Sequence, residues 1–164
     1  MTQRTLLHLE DFLPYRLSVL SNVVSAAIAG AYAERFALSI PEWRVLAVLA
    51  ATPDLAAAQV AAHTAMDKVA VSRAVANLLR TRRIERTTAR TDRRRSMLRL
   101  SAAGARVYGE VVPVAREYER ALLRPLSRAQ RAALDKLLRV LIGRATELGP
   151  AHAARRTAGK TRHV

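Results

Sequence analysis

Between Asp67 and Leu100 the repeat of apolar residues changes once, and that change constrains the fold more than any other feature. Val71, Ala74, Val75 and Leu78 fall at i, i+3, i+4 and i+7, the stripe of an amphipathic helix, and Asp67 has the chemistry of its N-cap. From Ile84 the helical period stops. Residues 84–88 and 96–100 are short β-tolerant runs joined by Ala-Arg-Thr-Asp-Arg-Arg-Arg, which predicts a hairpin with a basic tip. The helix face opposite the stripe carries Lys68, Ser72, Arg73, Ala76 and Asn77, so polar side chains point outward when the stripe packs.

The flanking sequence is helical. Leu13, Leu17, Leu20, Val24 and Ala31 recur at helical spacing and predict one long helix over residues 12–37. Residues 17–33 carry no charge, but Ser18, Ser21, Asn22, Ser25 and Gly30 interrupt them, so a helix buried on most sides is expected rather than a membrane span. Ser39, Pro41 and Glu42 form a capping-box pattern that opens a second helix over residues 41–51, which Thr52-Pro53 ends. Residues 55–63 predict a short Ala-rich helix, with Ala56 where a capping hydroxyl is expected. Ser101 can cap a helix over residues 102–124, kinked at Pro113 and broken by Pro125. Ser127 and Gln130 make another capping box, before a stripe of Leu134, Leu137, Leu138, Leu141 and Ile142 that reaches about residue 148. Gly149-Pro150 is expected to end the fold, leaving residues 149–164 as a disordered basic tail.

Short helix, turn, helix with an exposed polar face, then hairpin is the order of a winged helix-turn-helix, so the expected class is mainly α with a small β-hairpin wing. Charge supports the same reading. The 164 residues hold 28 Lys plus Arg against 13 Asp plus Glu, a net charge of +15. Residues 1–79 are neutral overall, whereas residues 80–99 hold nine Arg against Glu85 and Asp92. Arginine's planar fork suits phosphates and guanine edges. The expected DNA contacts of the helix are then Lys68, Ser72, Arg73 and Asn77, with Ser72, Arg73 and Asn77 at base edges, and the wing contacts are Arg90, Asp92, Arg93, Arg94 and Arg95, with Arg93 at the tip.

The same residues disfavour the rival classes. There is no Cys, the four His (8, 63, 152 and 163) are scattered, and no Gly-rich phosphate loop is present, so neither an enzyme nor a metal or cofactor site is expected. Single-stranded RNA binding would want aromatic side chains beside the Arg cluster, and none is there. A non-specific architectural DNA- or RNA-binding protein remains the main alternative. The N-terminus lacks a signal-peptide pattern, which leads to the expectation of a cytoplasmic protein.

Asp67-Lys-Val-Ala-Val-Ser-Arg73, Ile84-Glu-Arg86 and the run from Thr91 to Gly104 resemble the MarR (multiple antibiotic resistance regulator) family, as does Ile40-Pro-Glu-Trp-Arg-Val-Leu46. The resemblance covers about residues 12–147. It implies a transcriptional regulator, often a repressor, that binds a pseudo-palindromic duplex operator as a homodimer. The dimerisation region would be residues 1–37 and 102–148, and the DNA-binding lobe residues 38–101. The apolar residues Leu6, Leu7, Leu9, Phe12 and Leu13, and the leucine stripe of the last helix, fit such a dimer. Resemblance also implies release by a small aromatic acid or its coenzyme A thioester, for which the candidate lining is Tyr15, Arg16, Val23, Trp43, Arg44 and Tyr108. Arg44 could instead pair with Glu42 or Glu34, and a constitutive, ligand-free member is the alternative. Where the family usually has Gly and an apolar residue after the recognition helix, this chain has Arg82-Arg83, which removes a favoured left-handed cap and is expected to place two further cations beside the DNA face.

Overall fold

Phe12 and Pro14 start the first long helix, α1 (Leu13–Phe36), after a 3-10 turn at Leu9–Asp11. The structure is a computed structural model and describes residues 6–64, 66–88 and 96–160. These belong to two compact units, one reaching Tyr118 and the other beginning at Glu119. The first unit continues with α2 (Ile40–Ala51), α3 (Ala57–Thr64), α4 (Lys68–Arg80), the strands β1 (Ile84–Thr88) and β2 (Ser96–Leu100), and most of α5 (Ala102–Leu123). The second holds the end of α5 and α6 (Arg128–Lys160).

The caps form as the sequence predicts. Ser39 and Glu42 bond reciprocally across the first turn of α2, and Ser127 and Gln130 do the same before α6, at 2.8 and 3.2 Å. Asp67 Oδ1 accepts from the Val69 and Ala70 amides, which satisfies two orphan donors of α4. At α3 the missing hydroxyl is replaced from the other side: the Gln59 side chain accepts from the Ala56 amide at 2.9 Å. β1 and β2 are antiparallel, in the register Ile84 opposite Leu100 and Thr88 opposite Ser96.

The core lies inside the first unit. Val71, Ala74, Val75 and Leu78 of α4, the predicted stripe, pack with Val45, Leu46 and Leu49 of α2, Val60 of α3, Ile84 and Leu98 of the hairpin and Val111 of α5. Burying a side chain of this kind contributes on the order of 2 kcal/mol, so the amphipathic stripe fixes which face of α4 points outward.

Three expectations need correction. Leu55 does not begin α3. It bridges Leu98 with two backbone bonds, Leu98 amide to Leu55 carbonyl at 2.8 Å and the reverse at 3.2 Å, and adds a third, one-residue segment to the hairpin sheet. The last helix does not stop at Gly149-Pro150 but runs on to Lys160. A proline removes only its own amide bond, and the following Ala- and Arg-rich residues favour helix. Within this chain α1 is also not buried on most sides: of its residues only Tyr32 is buried, while Leu13, Leu17, Leu20 and Val23 are exposed. Its apolar residues lie all round the helix, and the packing within the first unit buries only Tyr32 of them. α1 is long and apolar enough to cross a membrane by length and composition alone.

Candidate nucleic-acid interface

Val69, Ser72, Arg73, Ala76 and Arg80 form the outward face of α4, opposite the buried stripe. Lys68 is exposed at its first turn. Together with Ser72, Lys68 also lines a cleft whose other walls are Ala57, Ala58 and Ala61 of α3 and Arg86 of β1. The helix thus presents three cations, Lys68, Arg73 and Arg80, and a hydroxyl, and the strand adds a fourth cation at the cleft. Arg86 is a basic residue that strand alternation alone does not mark as part of this face.

Asn77 behaves differently from its neighbours. It is half-buried: its amide donates to the Glu42 carboxylate, while its carbonyl accepts from Arg80 Nε at 3.1 Å and Nη2 at 2.5 Å. Instead of pointing freely outward, Asn77 ties α4 to the start of α2 and orients Arg80. Glu42 is 4% exposed. Burial pushes its carboxyl up, but bonds from the Ser39 amide and hydroxyl and from Asn77, with the Arg83 charge nearby, outweigh this and hold it below its ordinary value. It therefore remains a charged acceptor inside the lobe.

The turn after α4 closes as a Schellman motif. The Arg83 amide bonds to the Leu78 carbonyl at 2.9 Å and the Arg82 amide to the Leu79 carbonyl at 3.0 Å. Arg82 sits at φ 54°, the left-handed conformation that glycine adopts most easily. Arg83 does not join the outward face. Its guanidinium donates to the Phe36 carbonyl at the end of α1, where the helix dipole favours a cation. The carbonyls of both arginines then receive the next element: the Ser101 hydroxyl donates to Arg82 at 2.7 Å and the Ser101 amide to Arg83 at 3.1 Å. Gly104 lies so close to this strap that a Cβ there would sit 1.9 Å from the Arg83 carbonyl oxygen, which explains the glycine in Leu100-Ser-Ala-Ala-Gly104.

The expected wing contacts Arg90, Asp92, Arg93, Arg94 and Arg95 lie outside the described residues. At the strands themselves, Arg99 Nε pairs with Glu85 at 2.7 Å across the ladder.

The six candidate effector-lining residues fall in two places. Tyr15, Arg16 and Val23 line a shallow concavity along α1 with Val19 and Leu20. Trp43 and Tyr108 stack with ring centroids 5.6 Å apart, and the Tyr32 ring lies tilted 5.7 Å from that of Trp43. Arg44 bonds to neither Glu42 nor Glu34 but donates to Ser25 Oγ at 3.1 Å. Burial pushes the Tyr32 hydroxyl up to about 12, and the Arg44 charge offsets part of that effect. An aromatic row with an arginine beside it is the chemistry that receives an aromatic anion.

Two helices joined by a turn, the second exposing polar side chains and followed by an antiparallel hairpin, define a winged helix-turn-helix protein. The MarR family pattern matches residues 38–95, the span from α2 to the hairpin. A MarR/EmrR family transcriptional regulator from Acinetobacter sp. ADP1 is 26% identical with a TM-score of 0.79, over 86% of this chain and 99% of that one. A probable transcriptional regulator from Pseudomonas aeruginosa is 30% identical with a TM-score of 0.68, over 82% of this chain and 99% of that one. BpsR from Bordetella bronchiseptica shares the fold at 21% identity and a TM-score of 0.72, over 83% of this chain and 96% of that one. No curated protein matches the sequence. The chain belongs to the MarR family of transcriptional regulators.

Proposed function

We propose that the protein is a sequence-specific duplex-DNA-binding repressor, acting in the cytoplasm as a homodimer and released by a small aromatic acid or its coenzyme A thioester. The observation that carries the reading is the outward face of α4, where Lys68, Ser72 and Arg73 are exposed while the opposite stripe is locked into the core. A helix so fixed can enter the major groove with Arg73 reading guanine and Lys68 on phosphate. Asn77 contributes by holding Arg80 rather than by reading a base. The wing residues Arg90, Arg93, Arg94 and Arg95 supply minor-groove and phosphate contacts, with Asp92 holding Arg93.

Exposed Leu13, Leu17, Leu20 and Val23 on α1, and Leu134, Leu137, Leu138 and Leu141 on α6, support a second copy as the cover for these faces. For the effector, support comes from the Trp43–Tyr108 stack with Arg44 nearby, and from BpsR, whose DNA binding is regulated by 6-hydroxynicotinic acid. Such a ligand must bind the DNA-incompetent state more tightly than the competent one.

The test is fluorescence anisotropy on a duplex selected from a random pool, with a scrambled duplex as control. Arg73→Ala should weaken the selected duplex by about 1 to 3 kcal/mol and relax discrimination at one position per half-site. Equal loss on both duplexes would make Arg73 a phosphate contact and leave base reading unsupported. Aromatic acids and their coenzyme A esters should stabilise the protein thermally and lower its affinity for the selected duplex. A stabilising compound that leaves binding intact would refute release.

A further inference from the structure

Val69 is the one large apolar side chain of α4 that the fold leaves outside, at 59% exposure, while Val71, Val75 and Leu78 of the same helix are buried. It stands in the first turn, two residues after the Asp67 cap, on the same face as Ser72, Arg73 and Ala76. In a helix laid into the major groove, this first turn is the part that reaches base edges. The cap argues against a phosphate bound by the first-turn amides, which leaves phosphate to the longer reach of Lys68: the Asp67 carboxylate already takes the Val69 and Ala70 amides. A β-branched hydrocarbon facing the groove floor therefore meets the groove's one apolar group, the 5-methyl of thymine.

We infer that Val69 is a specificity-determining residue that recognises a thymine 5-methyl group in each half-site. The inference rests on the proposed DNA-binding function and adds a base identity to it. Ala76 is exposed on the same face two turns further along, and its single methyl adds a second, smaller apolar group to that face. Ser72 and Arg73 flank Val69 with hydrogen-bonding groups, so a thymine next to a guanine is the pattern this face fits.

The experiment removes the methyl from the DNA rather than the contact from the protein. Duplexes selected from a random pool are resynthesised with deoxyuridine replacing each thymidine in turn, which deletes the methyl and keeps the Watson–Crick edge. One position per half-site should lose about fourfold in affinity, the worth of burying one methyl group. Val69→Ala should bind the thymidine and deoxyuridine duplexes equally, whereas Val69→Thr, which keeps one branch methyl, should retain the preference. Both variants lie on an exposed face, and Val69→Ala raises helix propensity, so folding is not at stake. A selected duplex indifferent to every deoxyuridine replacement, or a Val69→Ala variant with the preference intact, would overturn the inference while leaving the regulator reading in place. Failure to enrich any sequence would instead overturn the DNA-reading proposal, and this inference with it.

Discussion

Arg82→Gly should stabilise the protein, although it deletes a whole side chain. Arg82 occupies the left-handed region at φ 54°, where a residue with a Cβ is disfavoured by about 1 to 2 kcal/mol. Glycine relieves that strain but gives up about 0.5 to 1 kcal/mol in chain entropy on folding. Taking the middle of each range, the difference is a gain of about 0.75 kcal/mol. Nothing else in the turn is lost, because the Arg82 amide bond to Leu79 and the Ser101 bond to the Arg82 carbonyl are made by backbone atoms that glycine keeps. For a chain of this size the gain corresponds to a rise in Tm of roughly 1 to 4 °C. Thermal and urea denaturation at fixed protein concentration would measure it, with Arg82→Ala as the control that removes the guanidinium and leaves the Cβ. If the Gly and Ala variants melt together, backbone strain at this turn is not the cause and the reasoning fails.

Other outcomes follow from the same region and from the core. Gly104→Ala drives a methyl group into the Arg83 carbonyl at 1.9 Å and should cost at least about 2 kcal/mol, read as a lowered urea midpoint; a neutral substitution would mean that the strap between α4 and α5 yields freely. Glu42 has a depressed carboxyl in the folded state, so its contribution is complete above the ordinary value of about 4.3 and is lost as pH falls through the lower folded value. Glu42→Gln should therefore lower Tm at neutral pH by an amount that shrinks on acidification, and a gap independent of pH would refute this. For Tyr32 the sign reverses: its neutral form is the favoured one, and the stability it adds is intact below about pH 10 and lost as pH climbs through about 12. An absorbance titration of tyrosinate should lose its last-ionising component in Tyr32→Phe.

The lobe from α2 to β2 is largely legible in the sequence because its signals are local. Asp67 and the stripe Val71, Ala74, Val75 and Leu78 define α4 and its orientation without reference to any distant residue. Ser39 with Glu42, and Ser127 with Gln130, mark helix starts by chemistry contained in four residues. The departures come from interactions across the chain. Asn77 lies on the flank of the polar face, and only the fold brings Glu42 within reach of its amide. A one-residue bridge such as Leu55 with Leu98 has no period to detect. Arg82-Arg83 announces a lost glycine, but that one arginine keeps the left-handed turn while the other folds back onto Phe36 depends on where α1 ends. Val69 was readable on the helical wheel, yet an exposed valine among polar neighbours carries no local signal of use.

The bridge from Leu55 to Leu98 has a mechanical consequence. A hairpin held only through its own ladder could pivot about its base, and the distance between whatever it touches and whatever α4 touches would then be adjustable. Here Leu98 stands opposite Arg86 in the ladder on one edge of β2, while its own amide and carbonyl bond to Leu55 on the other edge and its side chain is embedded in the core. The base of the hairpin and α4 thus share one rigid frame with few internal degrees of freedom. Such a lobe works as a ruler of set length. In the proposed homodimer, what would be left to vary between a bound and a released state is the gap between one ruler and the next.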